Sequence, residues 1–426
     1  MSALGPGPKA DFGIIITMLT TTLDVNIIQK DLELTVWQTI NEIKDFNTAK
    51  VLDAFKRAGV QNMHYTWVTG YGYDDLGKEK LDEVYSNIFN TEAAVVRPQL
   101  VSGTHAITAA VWGNLNAHDE LLCLGKPYDT LVTSFTKLSK KFDCNVRTIE
   151  SINPDFVDSI SDLELRELIL SGVQKETKVV FIQRSRGYEW RSSFKLKTLE
   201  RLIRTVKTIR EDLIVFVDNC YGEFTQKYEP TDLGADIIAG SLIKNPGGGI
   251  VTAGAYIAGK KDLIDNAAEY FTAPGIGAHG GCMFDQTRLM LQGVFIAPLV
   301  VSEALKGMSL AARLFTQKGF ETIPAFDEER NDVIQAVKFN DREKLIKFCE
   351  IVQSNSPVNS MFSPIPDVIS GYDDQIIMAS GSFIEGSSIE LSCDGPLREP
   401  FVGYIQGGMN YSHTKIVLEE IMNSNL

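Results

Sequence analysis

The sequence has no Cys-x-x-Cys pair, no His-Glu-x-x-His motif and only five histidines in 426 residues. These absences argue against a cysteine-built zinc site and a histidine-built metal centre. Cys123, Cys144, Cys220, Cys282, Cys349 and Cys393 are scattered singly, the pattern of free thiols in a reducing compartment, the cytoplasm. Basic residues are the minority, 41 Lys and Arg against 55 Asp and Glu, and the net charge of −14 leaves no basic stripe for nucleic acid. No run approaches the ~20 apolar residues of a membrane span, and no internal repeat or low-complexity tract is present. The apolar, threonine-rich stretch from Phe12 to Leu23 lacks a small-residue cleavage site and has Asp11 at its edge. It reads as an arm packed on another subunit or on the body rather than as a signal peptide.

What is present is an ordinary globular composition, 44% hydrophobic and 23% charged, in a chain long enough for two domains. Short β-rich runs at Ala93–Val96, Glu120–Leu124, Val146–Ile149, Lys178–Ile182, Leu213–Val217, Asp236–Ala239 and Ile250–Ile257 alternate with helical patterns. Leu196, Leu199, Leu202, Ile203, Val206 and Ile209 mark one such helix. The alternation predicts an α/β fold with a mostly parallel central sheet, and the close pair at 236 and 250 predicts a hairpin around Lys244. An apolar helix is expected over 285–318. Beyond it, Asp327 to Ser354 is charged and periodic, and Ile365 to Leu391 is strand-rich. The resulting division is an N-terminal arm and helix over 1–60, a large domain over 61–310, and a small α+β domain over 311–426 that ends in a helix near Ile416–Met422.

The most informative stretch runs from Val215 to Gly249. One apolar run ends in Asp218, and after 25 intervening residues a second ends in Lys244, followed by Asn-Pro-Gly-Gly-Gly. Open α/β sheets place ligands at the carboxyl ends of their strands, so both residues are presented where a ligand sits. A carboxylate and a lysine together suit pyridoxal phosphate: the acid keeps the ring nitrogen protonated and the lysine forms the Schiff base. The uncharged surroundings of Lys244 favour a depressed amine pKa. The glycines behind it are expected to let backbone approach a ligand closely. Ser102-Gly103-Thr104-His105-Ala106 opens a helix and offers an anion site for the phosphate, with Ser241 as a further donor. Tyr128, just after the strand Glu120–Leu124, can stack on the cofactor ring, and His105 is a rival for the same face. Gly72 to Lys78 matches G-x-x-x-x-G-K, but Glu79 stands where Ser or Thr would bind magnesium, so no nucleotide loop is expected.

These residues carry a resemblance. SGTHA, the PYDT loop, VDNCYGEF, SLIKNPGGG, LQGVFIAPLVVSEALKG and DGPLREPFVGYIQGG occur in the order seen in fold-type I pyridoxal-phosphate enzymes. Over roughly residues 35 to 420 the chain resembles the methionine γ-lyase/cystathionine β-lyase-related family, whose members are often called aluminium-resistance proteins. The resemblance implies a carbon–sulfur lyase that eliminates a thiol from a cystathionine- or methionine-like amino acid, assembled as a homodimer or homotetramer. It implies that Lys244, Asp218 and Tyr128 are the Schiff-base lysine, the ring-nitrogen partner and the stacking ring, and that Ser102, Gly103, Thr104 and Ser241 form the phosphate cup. It further implies that Tyr71 and Tyr73 reach the phosphate of the neighbouring subunit, and that Arg398 clamps the substrate carboxylate. The same scaffold also serves aminotransferases, and a cofactor-binding protein without catalysis is a third reading. Lys78 stands where an arginine usually follows the tyrosine motif.

Overall fold

The computed structural model describes residues 24–369 and 371–426. The expected arm at Phe12 to Leu23 lies outside the described residues. Two helices, Val25–Leu34 and Val36–Ala58, come first; Asp24 caps the former by accepting from the amides of Asn26 and Ile27.

Seven strands make the large sheet: β1 (Ala93–Arg97), β2 (Glu120–Leu124), β3 (Asn145–Ile149), β4 (Thr177–Gln183), β5 (Ile214–Asp218), β6 (Ile237–Ser241) and β7 (Ala255–Gly259). Their order is β1-β7-β6-β5-β4-β2-β3. Every pairing from β6 through β3 is parallel, whereas β7 is antiparallel to both β6 and β1. The expected hairpin around Lys244 therefore forms, but β7 starts at Ala255 rather than at 250. β2, β4, β5 and β6 are buried throughout or nearly so, because helices cover both faces of the sheet, which is why these segments read as continuous apolar runs.

The helix Leu196–Ile209 buries Leu199, Leu202, Ile203 and Val206 against this sheet, as its periodicity predicts. The long apolar helix spans Thr287–Gln317 with Pro298 inside it. By length and hydropathy it is apolar enough to cross a membrane, yet its 18-residue apolar window is 72% buried. It packs on Val36–Ala58 and on the C-terminal helix Tyr411–Asn423. Each fully buried Leu, Val or Met along it contributes ~1.5–3 kcal/mol of transfer free energy.

The second sheet has six strands: β8 (Glu321–Ile323), β9 (Ile334–Lys338), β10 (Asp367–Val368), β11 (Gln375–Ala379), β12 (Ser392–Pro396) and β13 (Val402–Gln406). Their order is β10-β11-β12-β13-β9-β8, all antiparallel. Two expectations need correction here. The charged stretch from Asp327 is not one periodic element: it holds β9 before the helix Arg342–Ser354. Of the strand-rich stretch Ile365 to Leu391, only β10 and β11 are strands, and the central pair of the sheet is the later β12 and β13.

Candidate active site

In the large sheet the strand order turns at β2, with β3 on one side and β4 on the other. Open α/β sheets form a ligand crevice outside the carboxyl ends of their strands at such a point. A cavity of about 300 Å³ opens there and extends along the ends of β5 and β6 to the second sheet; Ser102, Gly103, Thr104, Tyr128, Asp218, Ser241, Lys244 and Arg398 all line it. Tyr128 is fixed across the turning point, where its amide donates to Gln183 Oε1 at 2.8 Å. Its hydroxyl shares a 2.7 Å hydrogen bond with Thr104 Oγ1.

Asp218 ends β5, buried, with Oδ1 accepting from the Cys220 amide at 3.0 Å. The Cys220 side chain is a further hydrogen-bonding neighbour of this carboxyl. Burial pushes this carboxyl up to about 6. Lys244 lies three residues beyond β6, partly exposed to the cavity. Its Nζ donates to the Tyr221 hydroxyl and, at 2.8 Å, to the Ser387 carbonyl, and it lies 3.6 Å from the centre of the Tyr221 ring. Burial lowers its pKa, and the nearby Cys220, Asp394, Glu223 and Asp218 oppose that shift. Tyr221 holds this position with φ of 68°, a left-handed conformation rare for an aromatic residue and typical of functional sites.

The glycines after Lys244 do something other than expected. Gly248 has φ of 56°, and a Cβ there would lie 2.5 Å from the Gly293 carbonyl of the long helix. The run lets two pieces of backbone approach each other, and none of Gly247, Gly248 and Gly249 lines the cavity. At Gly103, expected in the phosphate site, a Cβ would press on Cys220 Sγ at 3.1 Å and Ser241 Cβ at 3.2 Å. Gly103 opens the helix Gly103–Trp112. Ser102 caps it, accepting from the His105 amide at 3.1 Å. Both readings of Ser102 therefore coexist, since the amides of Gly103 and Thr104 at the first turn lack intrahelical acceptors and can still meet an anion.

His105 does not line the cavity; its ring Nδ1 accepts from the Val101 amide at 3.2 Å. Tyr71 and Tyr73 also stand apart from this chain's cavity. They are 80% and 47% exposed, with their rings stacked at 5.6 Å. Lys78 explains its own presence there. Buried, it donates to the Gly72 carbonyl at 2.7 Å and to the His279 carbonyl at 2.6 Å, bracing the tyrosine loop against the loop around Gly281. Arg398 reaches the cavity, where it pairs with Asp374 at 2.9 Å and lies 3.9 Å from Asp129. Of the other arginines, Arg184 is locked inside by Asn219 at 2.7 Å and Glu229 at 3.4 Å. Arg186 lines the cavity from 3.6 Å beside Asp332.

Sequence reasoning missed Tyr221, Asp394, Gln183, Tyr188, Tyr372 and Ser387, all of which line the cavity. Tyr221 was within reach, three residues after Asp218 in VDNCYGEF. Asp394 lies in the quoted stretch DGPLREP, but nothing in its spacing distinguishes it from a strand-end acid.

Asp218 and Asp394 are both buried, and burial pushes each up to about 6. In the unfolded chain they ionise near 3.9. Between those values the folded state keeps protons that the unfolded state has released, so this contribution is full below about pH 4 and is lost as pH rises through about 6. For the cofactor-free protein we expect urea stability to fall over that window by an amount on the order of 2–3 kcal/mol per acid. Asp218→Asn and Asp394→Asn should each flatten the slope; an unchanged slope in both would contradict this reading.

The donor set fits pyridoxal phosphate: a buried acid for the ring nitrogen, an amine beside it, a ring wall, and helix-start amides with a serine for the phosphate. The fold agrees with known structures. The chain superposes on a Corynebacterium glutamicum protein, metB, with a TM-score of 0.58 over 83% of this chain and 88% of that one, at 14% identity, a likeness of fold alone. A carbon-sulfur lyase involved in aluminium resistance from Clostridium novyi is 43% identical, with a TM-score of 0.86 over 93% and 94% of the two chains. The uncharacterised protein YnbB of Bacillus subtilis is 45% identical over 382 residues, 89% of this chain and 90% of its own length. Residues 24–426 match the family described as methionine gamma-lyase, so the fold, the site's strand-end layout and this match agree that the chain belongs to the methionine gamma-lyase family.

Proposed function

We propose that the protein is a pyridoxal-phosphate-dependent carbon–sulfur lyase that eliminates a thiol from a cystathionine- or methionine-like amino acid, leaving a 2-oxo acid and ammonia. The observation that carries this reading is the joint placement of buried Asp218 and a lysine of lowered pKa in one cavity, beside a capped helix start and Tyr128. The family and the Clostridium novyi relative support the reaction class.

When bound, the cofactor supplies an electron sink for the pair released at the substrate Cα. Asp218 is sited to hold the ring nitrogen cationic, and Tyr128 to cover one ring face. Ser102, Gly103, Thr104 and Ser241 are sited for the phosphate. Lys244, its amine less basic than in water, takes the Cα proton, and Tyr221 holds its Nζ in place. Arg398 meets the substrate carboxylate by exchanging Asp374 for it. Removing that charged contact should cost about 1.5–3 kcal/mol. Arg398→Ala should accordingly lower kcat/KM roughly 10- to 150-fold. An unchanged kcat/KM would pass the role to Arg186.

The reading is tested by incubating the holoenzyme with cystathionine and with methionine and following thiol, ammonia and 2-oxo acid. A lyase releases all three with no 2-oxo acid supplied. Turnover that depends on an added 2-oxo acid acceptor would establish an aminotransferase instead, and binding without turnover a non-catalytic protein.

We also propose a homodimer or homotetramer in which Tyr71 and Tyr73 serve the neighbouring site, because they are exposed yet braced by Lys78. Mixing a Tyr71→Phe/Tyr73→Phe chain with a Lys244→Ala chain should restore activity through hybrid sites. A monomer in the ultracentrifuge at assay concentration would contradict it.

A further inference from the structure

Asp394 has no part in the chemistry described so far, yet it shares the cavity with Lys244. It lies in β12, its Cα paired with Met378 of β11 and Tyr404 of β13, and it is 3% exposed. Among the described residues no cation forms an ion pair with it; Arg186 and Arg398, which line the same cavity, pair with Asp332 and Asp374. A buried carboxylate without a cation is costly, whereas a buried carboxylic acid is a hydrogen-bond donor.

Its neighbours connect it to the base. Ser387 Oγ donates to Asp394 Oδ2 at 3.1 Å, and the same Ser387 side chain is a hydrogen-bonding neighbour of the Tyr221 hydroxyl. The Tyr221 hydroxyl in turn accepts from Lys244 Nζ. A file of hydroxyls therefore joins the amine to the acid. The ionisable groups facing Asp394 are Lys244 from the turn after β6, Tyr188 from the loop after β4, Tyr221 after β5, Tyr372 before β11 and Tyr404 on β13. Apart from Lys244 all are phenols, whose burial keeps them neutral. Burial likewise favours the protonated form of Asp394.

We propose that Asp394, in its protonated form, is the acid that delivers a proton to the departing sulfur, and that Ser387 and Tyr221 return that proton from Lys244. The proposal rests on the lyase reading. The Cα–H bond breaks and its proton goes to Lys244; the electron pair forms the carbon–carbon double bond. The C–S bond breaks with its pair on sulfur, which takes the Asp394 proton and leaves as a neutral thiol. The Asp394 carboxylate regains a proton through Ser387 Oγ and the Tyr221 hydroxyl, and Lys244 returns to the free amine. Overall the Cα proton ends on sulfur, and no oxidant or reductant is needed.

The test compares holoenzyme and Asp394→Asn on two S-substituted cysteines. One releases an alkyl thiol, a poor leaving group. The other releases a nitro-substituted thiophenol, which departs as a stable thiolate without an acid. The proposal expects a loss of roughly 100-fold or more on the alkyl substrate and only a few-fold on the aryl one. Equal losses on both substrates, or no loss on either, would overturn it. If the wild-type enzyme releases neither thiol, elimination at Cβ, the form of the lyase reading on which this proposal rests, fails, a result separate from failure of Asp394 alone. An independent readout uses the cofactor-free protein. Its infrared band from protonated carboxyl should persist above about pH 5 and lose intensity in Asp394→Asn; an undiminished band would also overturn the proposal.

Discussion

Replacing Lys244 with alanine is expected to lower turnover roughly 10⁴-fold or more. On the proposed function two roles disappear together, attachment of the cofactor and removal of the Cα proton, and proton transfer by a positioned side chain alone contributes about 10²–10⁴-fold. The Nζ is held by the Tyr221 hydroxyl and the Ser387 carbonyl, so its position is set by groups outside its own strand. Alanine removes the amine without disturbing the glycine run behind it, whose contacts are with the long helix. The check is kcat for thiol release alongside the far-ultraviolet dichroism of the variant. Folded protein retaining turnover within about tenfold of wild type would remove Lys244 from both roles, since a catalytic base is worth more than that.

Asp218→Asn is the second large effect. Asparagine keeps the shape and the acceptor for the Cys220 amide but removes the charge. The expected loss is that of one member of a buried charge pair, about 3–5 kcal/mol, or roughly 10²–10³·⁵ in kcat. Turnover within a few-fold of wild type would place the ring-nitrogen partner elsewhere.

Asp218 and Lys244 were legible because a buried parallel strand is a continuous apolar run, and the first ionisable residue after it marks the carboxyl end of the sheet. The same physics exposed Tyr128 after β2. The glycine run was legible as close approach, but a sequence does not say what approaches; here it is the Gly293 carbonyl of a helix some forty residues away in the chain. β8, β9, β12 and β13 were obscured because an antiparallel sheet carrying Asp394, Gly395 and Pro396 in one strand breaks the simple period-2 pattern. Asp394 and Ser387 reach the site only through the packing of the second sheet against the end of the first. No local pattern records that. Tyr71 and Tyr73 entered through family resemblance alone, and within one chain the fold leaves them at the surface.

The central claim is that Lys244 carries pyridoxal phosphate. The most direct measurement is borohydride reduction of the holoenzyme followed by proteolysis and mass spectrometry of the pyridoxyl peptide. One labelled residue is expected, Lys244, and no label in Lys244→Ala. Label on Lys260 or Lys261, which follow β7 at the opposite end of its pairing with β6, or none on any peptide, would contradict it.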